Sequence, residues 1–98
     1  ADEDYGALLK SLNKRPIDYF RMFYADTALF GSASGTRCGM DFFGVDKVVF
    51  ASDAPFDPEG GPMYIRDTIR VIDGLDISDS DRRKIYNGNA CKLLKLSV

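Results

Sequence analysis

Histidine is absent from this 98-residue chain. Without it, the chain alone cannot build a Ser–His–Asp triad, a Cys–His pair or a histidine-based metal centre. Cysteine is scarce. Cys38 and Cys91 stand far apart, with neither metal-site nor redox spacing, and read as free, half-buried thiols of a reducing, cytoplasmic compartment. No apolar run approaches the ~18 to 20 residues needed to span a bilayer. The acidic opening ADEDYG is not the basic-then-apolar start of a secretory leader. There is no basic block either: 13 basic and 15 acidic residues are interspersed, for a net charge of −2. Nucleic acid and anionic membranes are therefore excluded as partners on electrostatic grounds. The first residue is Ala1 rather than Met, which points to a trimmed start or a piece of a longer chain.

What is present describes a folded chain. Hydrophobic residues make up 45% and charged residues 29%, a globular composition in a single segment, 1–98. Tyr5, Leu8, Leu9 and Leu12 recur with helical spacing, and that helix stops before Pro16. PIDYF reads as a connector. RMFYADTALF, 21–30, alternates as a strand ended by Gly31. SASGTRCGMDFFG follows as a helix closed by Gly44, with Cys38 and Phe42 as its buried stripe. VDKVVFAS, 45–52, is a second strand, apolar on both faces. Pro62 opens a helix carrying Ile65, Ile69 and Ile72 on one face, with Gly74 as its stop. Ser78 and Asp81 approximate a capping box for a helix ending at Gly88, after which Asn89 caps the last one. DSDRRK reads as a solvated helix face, and the aromatic cluster at 19–24 as core or interface packing. The class is α/β. A helix between two strands implies parallel pairing through a right-handed crossover. Two parallel strands form a poor free-standing sheet, so the pattern reads as a slice of a larger structure.

The stretch DKVVFASDAPFDPEGGP places Asp53 at the exit of the second strand. Aspartate is common in turns and at helix caps, yet strand exits are also where α/β proteins keep their chemistry. Asp26 reads as a structural hydrogen-bonding partner and Arg37 as a solvated helix residue. DPEGG reads equally as a lid or as an ordinary connector before Pro62.

Taken together, RPIDYFRMFYADTALFG, GVDKVVFASDAPFD and RRKIYNGNACKLL resemble the C-terminal part of the amidohydrolase superfamily. Within it, the likeness is to the branch of aminocarboxymuconate-semialdehyde and γ-resorcylate decarboxylases. The resemblance covers about Pro16 to Leu94. It implies a C-terminal fragment of a (β/α)₈ barrel, a fold of about 250 residues whose functional face lies at the C-terminal strand ends. It also implies that Asp53 is the catalytic, metal-binding carboxylate, and that Ala54, Pro55 and Phe56 line the substrate pocket. The substrate would be a small carboxylate, and the reaction a metal-dependent decarboxylation or hydrolysis. The cofactor would be a divalent metal, zinc in most of the family. The family's histidine ligands are missing here, and one aspartate cannot hold zinc, so the chain alone is expected to hold no metal. A rival reading is a catalytically inert α/β fragment that forms a homo-oligomer through the open edges of its strands.

Overall fold

The structure, a computed structural model, describes residues 5–96. Helix α1 (Tyr5–Ser11) is followed by α2 (Pro16–Phe20), strand β1 (Ala25–Asp26) and helix α3 (Ala33–Phe43). A 3₁₀ turn (Val45–Lys47) leads into β2 (Val48–Val49) and then α4 (Pro62–Asp73). The chain closes on α5 (Asp79–Arg83), a π turn (Lys84–Gly88) and α6 (Asn89–Leu94). The two strands pair in parallel, with Ala25 opposite Val48 and Asp26 opposite Val49. That is the crossover expected from a helix between two strands.

Both strands are shorter than their sequence patterns suggest. PIDYF is a helix, not a connector: Pro16 takes its first position, where a missing N–H costs nothing. The Met22 and Phe23 amides then bond back to Tyr19 and Phe20, so helix-like turns consume the expected start of the strand. On the second strand, Gly44 at φ +83° turns the chain and the Lys47 amide bonds to its carbonyl, winding Val45–Lys47 into a 3₁₀ turn. Thr27 extends the pairing beyond the ladder. Its amide donates to the Val49 carbonyl at 3.1 Å. Its hydroxyl donates to the Ala51 carbonyl at 2.8 Å and accepts from the Ala51 amide at 2.9 Å.

The core lies on the helix side of β2. Val48, Ile72 and Ile85 form it, with Phe50, Met40, Val45, Ile77 and Tyr86 packed around them. Ile72 and Ile85 are fully buried, and each such side chain contributes about 1.5–3 kcal/mol of transfer free energy. The expected apolar face of α4 is only partly right: Ile72 is buried, but Ile65 and Ile69 are each 38% exposed. The inward side of that helix is carried by Thr68 and Ile72 instead. In α3 the buried residue is Thr36; Cys38 is exposed and Phe42 half-buried, so the predicted stripe is displaced around the helix.

The C-terminal helices differ most from the reading of their caps. Ser78 does accept from the Asp81 amide at 3.0 Å. Gly88 does not stop the helix, however, because the backbone continues through the π turn with helical angles at Asn89. Asn89 is therefore no cap. It is buried, and its side-chain amide donates to the carbonyls of Val45 at 2.6 Å and Val48 at 2.8 Å. Arg82 also departs from the solvated face assigned to it. Its guanidinium donates to the Ile72 and Leu75 carbonyls at 3.2 and 2.8 Å, closing the C-terminal end of α4 where positive charge is favoured.

The Cα radius of gyration is 16.7 Å, against about 13 Å for a compact domain of this length. Consistent with that, Phe20, Met22, Phe23, Phe30, Phe56 and Leu94 are each more than half exposed. The aromatic cluster of 19–24 thus supplies open apolar surface rather than core.

Candidate functional site

Parallel pairing sends the β1–α3 and β2–α4 connections out of the same end of the sheet. Asp53 stands at that end with an exposed carboxylate, and among the described residues no hydrogen bond or ion pair engages it. Its backbone lies in the left-handed region, at φ +66°. Aspartate tolerates that region better than most residues but gains nothing from it over glycine. The carboxylate therefore has no structural duty that would account for its place.

Ala54, Pro55 and Phe56 follow in a turn closed by the Phe56 amide on the Asp53 carbonyl at 3.1 Å. All three are exposed, and Phe56 is 77% so. On the neighbouring connection Phe30, also left-handed at φ 55°, packs against Tyr64 with ring centroids 4.8 Å apart and the planes tilted by 44°. The same end of the sheet therefore carries one free carboxylate and a set of aromatic faces. A cleft of about 260 Å³ lies elsewhere, lined by Arg37, Met40, Asp41, Leu75, Asp76 and Ile77. Arg37 is a solvent-facing residue of α3 that borders this cleft. Asp26 is structural as expected: its carboxylate accepts from the Ala28 amide at 2.9 Å.

Asp57 is the residue that the sequence reading passed over. It is only 8% exposed, and its carboxylate accepts three backbone amides: Glu59 at 2.7 Å, Gly61 at 3.0 Å and Tyr64 at 3.1 Å. Gly61 begins α4 without a side-chain cap of its own, and Asp57 supplies that cap from outside the helix. Burial pushes its carboxyl upward, but the amides of Gly61, Tyr64 and Glu59 outweigh it and hold the group below the usual carboxylate range. DPEGG is thus a pinned connector rather than a loose lid. The sequence signal was available in an aspartate shortly ahead of a Gly-Pro helix start.

Among the described residues, no three His, Cys, Asp or Glu side chains converge to hold a metal ion. Asp53 offers one oxygen donor where catalytic zinc takes about three protein ligands. The described residues therefore do not fit a complete metal centre. Both cysteines are free, and no described helix is long and apolar enough to cross a membrane.

No curated protein sequence matches the chain significantly. Among solved structures, the fold is similar to the 5-carboxyvanillate decarboxylase LigW from Sphingomonas paucimobilis, with a TM-score of 0.69 and 21% sequence identity. The match covers 95% of this chain and 28% of that one, so the chain corresponds to a small part of a barrel decarboxylase. The amidohydrolase family profile matches residues 2–96, and with nearly the whole length accounted for, the chain belongs to the amidohydrolase family.

Proposed function

We propose that this chain supplies the carboxylate end of an amidohydrolase-type barrel that decarboxylates or hydrolyses a small carboxylate substrate. The observation that carries the reading is Asp53: an exposed, unpartnered carboxylate held in a left-handed turn at the C-terminal end of a parallel strand. Non-glycine residues kept in such a conformation concentrate at functional sites. The ends of parallel barrel strands are where such sites lie. Decarboxylation is preferred to hydrolysis because the similar structure is a decarboxylase.

In this reading Asp53 is the acid–base group, and a carboxylate with no partner is free to take and return a proton. It would also offer one oxygen to a divalent metal, zinc being the family's usual choice, and the remaining donors would have to be supplied from beyond the described residues. Ala54, Pro55 and Phe56 form the rim beside it, with the exposed Phe56 ring available to a flat substrate. The open strand edges and the exposed Phe20, Phe23 and Leu94 are the surfaces on which the other strands would pack. Two free cysteines suit a reducing, cytoplasmic setting.

The test is CO₂ release from a panel of small aromatic and unsaturated carboxylates. It is run with the chain alone and with the chain mixed with the histidine-bearing remainder of an amidohydrolase barrel. Release that needs both components and is lost with Asp53→Asn supports the proposal. Release that is indifferent to Asp53→Asn overturns it.

A second reading is favoured by the same open edges: copies of the chain pair with one another as a homo-oligomer without catalysis. Light scattering separates the two. A discrete multimer of the chain alone, unchanged when the remainder is added, selects self-assembly.

A further inference from the structure

The 53–61 connection has an internal support that the barrel reading does not require. Asp57 is buried, and its Oδ1 accepts from both Glu59 and Gly61, while Oδ2 accepts from Tyr64. Gly61, held in this way, lies against the start of the same loop. A Cβ placed on it would stand 3.7 Å from both the Ala54 Cβ and the Pro55 Cα. The loop is thus folded back on itself. Asp57 fixes Gly61, Gly61 faces Ala54 and Pro55 with room for about one methyl between them, and those two residues directly follow Asp53. The Phe56 amide on the Asp53 carbonyl closes the turn from the other side. The Glu59–Arg66 ion pair at 2.9 Å staples the outside of the loop to α4, with the Arg66 charge also facing Asp57.

We propose that Asp57 is a positioning residue for Asp53, holding it through Gly61 in the left-handed conformation that presents its carboxylate at the strand end. This rests on the reading of Asp53 as the site carboxylate. The buried carboxylate does two jobs with one group: it caps α4 through Tyr64, and it sets the site turn through Gly61. Those jobs fall on different oxygens, and that makes them separable.

The experiment is NMR on the ¹⁵N-labelled full chain, comparing wild type with Asp57→Ala and Asp57→Asn. Two quantities are read: amide exchange at Gly61 and Tyr64, and the strong intraresidue amide–Hα cross-peak that marks a positive φ at Asp53. In Asp57→Ala, protection at Gly61 and Tyr64 is expected to fall by about tenfold or more while Val48 and Ile85 hold theirs. The Asp53 cross-peak is expected to weaken in the same variant. Asp57→Asn keeps one carbonyl oxygen, so Gly61 stays protected and the Asp53 signature returns, while Tyr64, now facing an NH₂ group, loses protection. An Asp53 signature that survives in Asp57→Ala overturns the proposal and leaves Asp57 as a helix cap only. If the alanine variant does not fold, the asparagine variant decides: loss of the Asp53 signature with Gly61 still protected overturns it equally. None of these readouts involves turnover. A barrel that fails to release CO₂ with a wild-type loop would sink the enzymatic reading, and with it the purpose of the turn, but not the measured dependence of the Asp53 conformation on Asp57.

Discussion

The two faces of β2 have met different fates. On the helix side, Val48 and Phe50 pack with Ile72, Ile85 and Tyr86, and the Val48 carbonyl is taken up by Asn89. On the other side, Val49 and Ala51 stay half-buried, and the strand runs out into the exposed Asp53 turn. One face is finished within the chain and the other is not. In a closed barrel both faces of each strand are covered, the outer by helices and the inner by side chains from the other strands. Under the barrel proposal, the chain would carry outer-layer packing for a small sector and only its share of the inner layer.

The largest test of this asymmetry is at the finished face. Ile85→Ala empties a fully buried site and should cost about 2–5 kcal/mol, measured by urea denaturation. A cost below 1 kcal/mol would mean that the helix side is loosely packed as well. Asn89→Ala should come next, at about 1–3 kcal/mol, because it strips the carbonyls of Val45 and Val48 of a buried donor. Lowering the pH tests the loop that leads away from the strand. The Asp57 carboxyl is held below its ordinary range when folded, so its contribution is fully present above the unfolded carboxylate pKa. That contribution is lost as pH falls through the lower, folded value. Stability measured at intervals below about pH 4 should decline, and Asp57→Asn should flatten that decline.

The smallest effect is expected at the open face, and its sign is what matters. Asp53→Gly removes a side chain from a left-handed position, so thermal unfolding should be unchanged or raised, by no more than about 1 kcal/mol equivalent. A clear destabilisation would show that Asp53 has a structural role and would weaken the case for its chemistry.

The order of the two strands and of the helices that follow each, their parallel pairing and the place of Asp53 beyond the second strand were legible in the sequence, because periodicity and glycine punctuation are local signals. Proline at the first turn of a helix is also local, yet Pro16 was read as part of a connector because the aromatic run after it resembled a strand. What escaped were side chains whose partners lie far away in the chain. Asn89 follows a glycine, as a cap would, and only the π turn ahead of it shows that the helix runs on and aims this residue at β2. Arg82 sits in a charged run that looks solvated, and its bonds to α4 depend on how two helices meet. Asp57 lay within a stretch read for its glycines and prolines rather than for its one buried carboxylate. Of the candidate site, the sequence places one carboxylate at the strand exit, and among the described residues no ligating companions converge on it.

The Asn89 bridge has a further consequence, in time rather than in energy. It joins positions 44 and 41 residues apart, far longer closures than any helical turn. Loop closure of that span follows the formation of local helices, so these bonds belong to the late steps of folding. Losing them should leave the refolding rate nearly untouched and quicken unfolding. Asn89 would then act as a latch on the native lifetime of β2, and so on how long the strand stays in place for whatever packs against its open face.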